Sequence, residues 1–288
     1  MSVGHSGESA EPSRPVLQFH GVLLYDLVGQ SSKLRRITSI PETDDEKQTA
    51  GAVVRMRRYL RQYYEKVSKS QIDRDFLSPE ACAVFDKTRP VNLTIRNFSD
   101  LTVAHTPLGE VPNAPSPLAS LSGLVGAASA MMLVSLAAGA PVRGAIDVGL
   151  AVDLEGREIY GPILDKVYTD ESQIADWPRI LAGKELTGYL DAAAQDPCAE
   201  PHAAIGRRFA KMAREFIVTD VDGLQIIDYL GVAANARMGA EGAFAFVEKA
   251  CAFVQTEYNR FREEGPAKLA ARFERVLVYC EARKATWK

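Results

Sequence analysis

Two aspartates close apolar segments of this chain, and a carboxylate in such a position can do chemistry. Asp26 ends the run VLQFHGVLLYDLVG, residues 16–29, and Asp100 lies between VNLTIRNF and LTVAHTP. Carboxylate oxygens are hard donors that suit Mg²⁺ or Mn²⁺. Each aspartate also has a plainer use, Asp26 as the cap of a following helix and Asp100 as an ordinary turn residue. After Asp26 and Leu27 come Val28, Gly29, Gln30, Ser31 and Ser32. The backbone N–H groups of such a turn, opening a helix, can receive phosphate; a simple strand-to-helix turn accounts for the same residues equally well. His20 and His105 fall within strand-like runs and read as packed or edge side chains. Cys82, Cys198, Cys251 and Cys280 are far apart and form no CxxC pair. Neither structural zinc nor a disulfide framework is indicated, and the thiols read as small side chains in a reducing cytoplasm.

The elements that must hold these groups follow from the apolar spacing. Residues 16–29 read as a central strand. Gln30 to Arg36 suit a short helix, and Asp44 or Asp45 offers the N-cap of a longer one running to about Lys69. Val53, Met56, Leu60, Tyr63, Tyr64 and Val67 make its inner face. VNLTIRNF and LTVAHTP read as a hairpin with Asp100 at its tip. An apolar helix over 118–138 follows and stops at Gly139. PVRGAIDVGLAVDLEGREIYG reads as strand, turn at Glu155-Gly156, and strand. A helix over Ile163 to Ala175 and a short strand in WPRILAG come next. Residues 183–212 read as helical with a loop near Pro197–Pro201. TDVDG turns between the strands EFIVT and LQIIDYL, and amphipathic helices cover 240–263 and 266–284.

The chain has 288 residues, 47% apolar and 25% charged, which suits one soluble α/β domain with additions. A net charge of −3 leaves no basic footprint for nucleic acid. Leu118 to Ala138 is the most membrane-like stretch, but it lacks flanking Lys or Arg anchors and reads as a buried helix. The polar residues 1–15 read as a disordered tail and 16–288 as a single domain. The expected architecture is a mixed, mostly antiparallel sheet flanked by helices.

That order of elements resembles the class III adenylate/guanylate cyclases. The similarity rests on the LLYDLVG strand end, the long helix, the Asp-tipped hairpin, PVRGAIDVG, IYGPILDKVYTDES and ADWPRIL, over roughly residues 18–182. TDVDG with LQIIDYL resembles a feature of the bacterial branch that includes the Pycsar antiphage pyrimidine cyclases, which make cyclic UMP or cyclic CMP. The resemblance implies a ferredoxin-like α+β cyclase fold with a C-terminal extension over about 183–288. It also implies a cytoplasmic homodimer with shared active sites and two Mg²⁺ or Mn²⁺ ions per site. Asp26, the Leu27 carbonyl and Asp100 would be the metal ligands, and Gly29, Gln30 and Ser31 would face the triphosphate. The base-recognition slots fall on Arg96 and Glu158. The guanidinium fork of Arg96 suits the carbonyl oxygens of uracil and the Glu158 carboxylate would suit the amino group of cytosine, with UTP favoured over CTP as substrate. Arg96 and Glu158 also read as solvent-facing residues, or as partners of each other. The family's transition-state asparagine and arginine slots fall near Asp165 and Thr169, so Lys166, Arg179, Arg143 and Arg35 are the cations left to serve. For Lys166 and Arg179 a surface salt bridge is the plainer role. A cyclase making cyclic AMP or cyclic GMP, and a cyclase-fold module without chemistry, remain the alternatives.

Overall fold

A computed structural model describes residues 16–29, 37–69, 79–80, 83, 93–98, 100–109, 117–154, 158–238 and 240–287. The strand β1 (Leu17–Leu27) lies at the heart of the sheet and is buried without a break from His20 to Tyr25. A strand covered on both faces must be apolar almost throughout, which is why its sequence hardly alternates. A helix, α1 (Asp44–Lys69), precedes β2 (Thr94–Phe98) and β3 (Leu101–Pro107). Phe98 pairs with Leu101, and Asp100 lies in the turn of the expected hairpin. The apolar helix α2 (Pro117–Ala137) leads into β4 (Val142–Leu154) and β5 (Glu158–Tyr160).

The chain continues as α3 (Pro162–Thr169), a π-helical turn over Asp170–Ile174, β6 (Ile180–Ala182), α4 (Lys184–Ala194) and α5 (Pro201–Arg214). β7 (Ile217–Thr219), β8 (Gln225–Ile227), α6 (Val232–Met238), α7 (Ala240–Glu264), α8 (Ala267–Arg283) and a 3₁₀ turn over Lys284–Trp287 complete it. The eight strands form one mixed sheet in the order β2-β3-β1-β4-β6-β8-β7, with β5 beside the outer part of β4. Among the described strands only the β4–β6 pair is parallel. The first half runs β1-α1-β2-β3-α2-β4, with β1 lying between β3 and β4.

Two apolar layers hold the sheet. On one face Leu23, Tyr25 and Ile146 join Leu121, Leu124 and Met132 of α2. On the other, Val22, Leu24 and Ala145 meet Ile163 and Val167 of α3. α2 also touches α1, α5 and α7, so a helix apolar on every side finds cover on every side. It is the one described helix long and apolar enough to cross a membrane, and 83% of its most apolar window is buried inside the protein.

Residues 183–288 are built into this body rather than attached to it. β8 pairs with β6 in the main sheet. The Trp287 indole N–H donates to the Leu230 carbonyl at 2.8 Å, and the Asn235 amide donates to the Thr286 carbonyl at 2.7 Å, closing the C-terminus on α6.

Two boundaries differ from the sequence expectation. Thr43, not Asp44 or Asp45, caps α1. Its hydroxyl accepts from the Glu46 N–H at 3.3 Å while the Glu46 carboxylate accepts from the Thr43 N–H at 3.2 Å, a reciprocal capping box. The two aspartates instead sit in the first turn, where acids suit the helix dipole. The helix expected over 163–175 is α3 followed by the π turn. The turn at Glu155-Gly156, the helix over Gln30 to Arg36, residues 1–15, and the side chains proposed for the inner face of α1 lie outside the described residues.

Candidate functional site

Sheet register brings the two aspartates together. Tyr25 pairs with Thr102, so the end of β1 and the start of β3 set Asp26 beside the hairpin tip that carries Asp100. On its other side Asp26 pairs with Arg143 of β4. The Arg143 guanidinium donates to Glu171 at 2.7 Å, and Glu171, on the π turn, is only 3% exposed. Asp26, Asp100, Arg143 and Glu171 therefore gather at one end of the sheet.

The electrostatics of that end are unfavourable for a charged Asp26. Burial raises its pKa first, then the charges of Asp100 and Glu171, against smaller lowering effects of the Leu27 backbone and Arg143. The outcome is a pKa of about 6. Asp26 Oδ1 is buried with no hydrogen-bond partner. A buried acceptor left bare beside a second carboxylate fits a divalent cation, because a cation supplies the partner that Asp26 Oδ1 lacks and offsets the charge of both groups. Among the described residues no group of three or more His, Cys, Asp or Glu side chains stands ready to hold a metal. The donors on hand are thus two carboxylates and the neighbouring backbone carbonyl, with Glu171 engaged by Arg143.

The other residues singled out in the sequence lie elsewhere in the chain. Gly29 follows Asp26 at φ 76°, a left-handed turn that glycine adopts without strain, and Gln30, Ser31 and Arg35 lie outside the described residues. Arg96 pairs with Asp153 of β4 at 3.2 Å rather than with Glu158, which is exposed on β5. Lys166 forms ion pairs with Asp147 and, one helical turn on, with Asp170 at 3.1 Å. Arg179 is 2% exposed. Its guanidinium binds Asp220 at 3.0 Å and Asp222 at 2.8 Å, donates to the carbonyls of Ala175 and Ile174, and lies 3.5 Å from the Trp177 ring centroid. Four of its five N–H donors are so used. Within one chain, then, Asp26 and Asp100 meet, whereas Arg96, Glu158, Lys166 and Arg179 each stand apart from them.

Sequence reasoning did not single out Glu171 or Asp147. Asp147 is fully buried in β4, where its carboxylate accepts from the N–H groups of Val148 at 2.9 Å and Leu186 at 2.6 Å. Leu186 is the third residue of α4, so a strand aspartate satisfies a donor that the helix start leaves orphaned. The signal was legible: a carboxylate inside the apolar run GAIDVGL must find partners or stay out of the core. Asp147 also dictates Gly183, whose Cβ, if present, would lie 2.0 Å from the carboxyl carbon. Gly183→Ala is expected to cost about 2–3 kcal/mol, the upper part of the overpacking range, read as a shift in the urea midpoint. A cleft of about 410 Å³ opens on this flank between Lys166, Gly183, Thr187 and Gln225. It lies beyond Asp147, and neither Asp26 nor Asp100 lines it.

A second buried pair lies at the opposite end of β1. His20 and His105 are each 1% exposed, their ring centroids are 5.4 Å apart, and none of their ring nitrogens has a partner. They are packed strand residues, as their positions suggested. Burial lowers both pKa values, that of His105 to about 4, with His20 and Arg96 adding to the effect and Asp153 opposing it. The unfolded chain takes up these protons near pH 6.5 and the folded one only at lower pH, about 4 for His105, so stability is lost as pH falls through that window. His105→Phe is expected to flatten the acid limb of a melting-temperature profile between pH 6.5 and 4.

The chain matches no protein-family model, and no curated protein matches it significantly.

Proposed function

We propose that this protein is a nucleotidyl cyclase of the class III type, converting a pyrimidine nucleoside triphosphate, UTP before CTP, into the 3′,5′-cyclic monophosphate and pyrophosphate. The observation that carries the reading is the meeting of Asp26 and Asp100 at adjacent strand ends, with an unpartnered buried oxygen on Asp26. The order βαββαβ with β1 between β3 and β4 supports it, since this is the split βαβ plan of ferredoxin-like folds. Asp26, the Leu27 carbonyl and Asp100 are the residues that would hold Mg²⁺ or Mn²⁺. Such ions, when bound, lower the pKa of the ribose 3′-hydroxyl and neutralise charge on the α-phosphoryl and leaving groups.

The rest belongs to the chain. Arg143 keeps Glu171 neutralised, so that the aspartate pair faces one compensated carboxylate rather than a third bare one. The left-handed turn at Gly29 carries the chain past the end of β1, where a triphosphate would lie, while the Val28 N–H is held by the Pro141 carbonyl at 2.8 Å. In a head-to-tail homodimer, Arg96 and Glu158 of one protomer would read the base held at the aspartates of the other. We take the protein to be cytoplasmic and its product to be a second messenger of antiphage defence.

Incubating the full chain with each of the four ribonucleoside triphosphates and Mn²⁺, and weighing the products, tests this directly. Cyclic UMP or cyclic CMP is the expected product. Cyclic AMP or cyclic GMP would keep the chemistry and move the base preference to purines. No cyclic product from any of the four, with nucleotide still bound, would favour a binding module of the same fold.

A further inference from the structure

The C-terminal hairpin carries a chemistry that the aspartate site does not use. α7 and α8 are antiparallel neighbours joined through Gly265 and Pro266. Cys251 lies 14 residues before Gly265 and Cys280 lies 14 residues after Pro266, so the hairpin brings them to the same level. Both thiols are free, and Cys251 packs against the buried cluster that holds Cys280 across the α7–α8 interface. Cys280 is 1% exposed, while Cys251 is half-buried. Phe261 stacked on Phe273 at 5.5 Å fixes the register nearer the turn.

We propose that Cys251 and Cys280 are a redox pair, closing a reversible disulfide that ties α7 to α8 when the protein meets a small disulfide such as oxidised glutathione.

The two thiols differ in the way such a pair requires. Cys280 beside it pulls the Cys251 thiol below its ordinary range, although burial and Glu281 oppose it. The neighbouring Cys251, with burial, pushes Cys280 well up. Thiolate is the attacking form, so the accessible Cys251 reacts first. Its sulfur attacks one sulfur of oxidised glutathione and expels one glutathione thiolate. Cys280 then gives up its proton and attacks the Cys251 sulfur of the mixed disulfide, expelling the second glutathione. Two protein thiols are oxidised, one glutathione disulfide is reduced to two thiols, and no other reactant is needed. α8 also brings the Tyr279 hydroxyl and the Arg283 guanidinium to Asp228, just past β8, so the tie would reach the main sheet through those contacts.

The full-length protein, treated with oxidised glutathione, alkylated and digested without reductant, provides the test by peptide mass mapping. The expected result is a linked peptide pair containing Cys251 and Cys280, lighter by two hydrogens and split by dithiothreitol, with Cys198 alkylated as before. Cys280→Ser is expected to trap glutathione on Cys251. A stable glutathione adduct on Cys251 of the unaltered protein, a bridge to any other cysteine, or full alkylation of both thiols would overturn the proposal. Because the unaltered protein alone decides the bridge, a variant that fails to fold does not blunt the test.

Discussion

On the proposed cyclase reading, Asp26→Asn is expected to cut cyclisation sharply and, at the same time, to make the folded protein more stable at neutral pH. Asp26 titrates at about 6 in the fold against an ordinary value of 3.8, because burial and the charges of Asp100 and Glu171 disfavour its anion. The native state therefore holds this proton more tightly than the unfolded chain does. Stability from this group rises as pH falls from above 6 toward 3.8, and at pH 7 and above the ionised carboxylate is a standing liability. Asparagine keeps the shape without the charge. Its melting temperature should exceed that of the unaltered protein most clearly at pH 8, and the difference should close by about pH 4. Turnover should fall by at least about 10²–10³-fold, the scale of losing one group that stabilises developing charge. Asp100→Ala should lose turnover to a similar degree. A stable but active Asp26→Asn protein would remove the aspartate pair from the chemistry. A variant both inactive and less stable would mean that Asp26 serves the fold.

Arg179→Met is expected to cost about 3–5 kcal/mol of stability, the range for breaking a buried ion pair by removing one partner. Asp220 is 10% exposed and Asp222 is 28% exposed on its side chain, and both would lose the same guanidinium. Burial pushes the Asp222 carboxyl up, but its bonds with Arg179 outweigh that and hold it below the ordinary range. The carbonyls of Ala175 and Ile174 and the Trp177 face would lose a donor as well. Urea denaturation measures the loss. Turnover per folded molecule, measured at a temperature where the variant stays native, should remain close to that of the unaltered protein. Unchanged stability with lost turnover would instead return Arg179 to the substrate.

The contrast between these residues shows what a single sequence reveals. The strands, the Asp-tipped hairpin and the buried helix were legible because apolar spacing is a local property. The aspartates were legible because each closes such a segment. Glu171 was not, since its meaning depends on Arg143, 28 residues away in sequence and adjacent only once α3 packs on β4. Lys166 and Arg179 read alike in sequence, as cations near candidate chemistry or as surface ion pairs. Arg179 turned out to be buried, because the turn carrying Asp220 and Asp222 folds over it, and nothing local announces that. The same holds for residues 183–288. Their helices were clear, but the place of β8 beside β6 is set by contacts across the whole chain.

The position of α2 at the centre of the helical layer has a consequence for synthesis on the ribosome. The helix ends at Ala137, and α7, one of the elements that cover it, is complete only at Glu264, 127 residues later. At translation rates of 5–20 residues per second, the nascent chain carries an incompletely covered apolar helix for roughly 6–25 s. A chaperone that grips apolar segments during that interval would protect the helix, and truncations within α7 would leave it open to aggregation for the life of the protein.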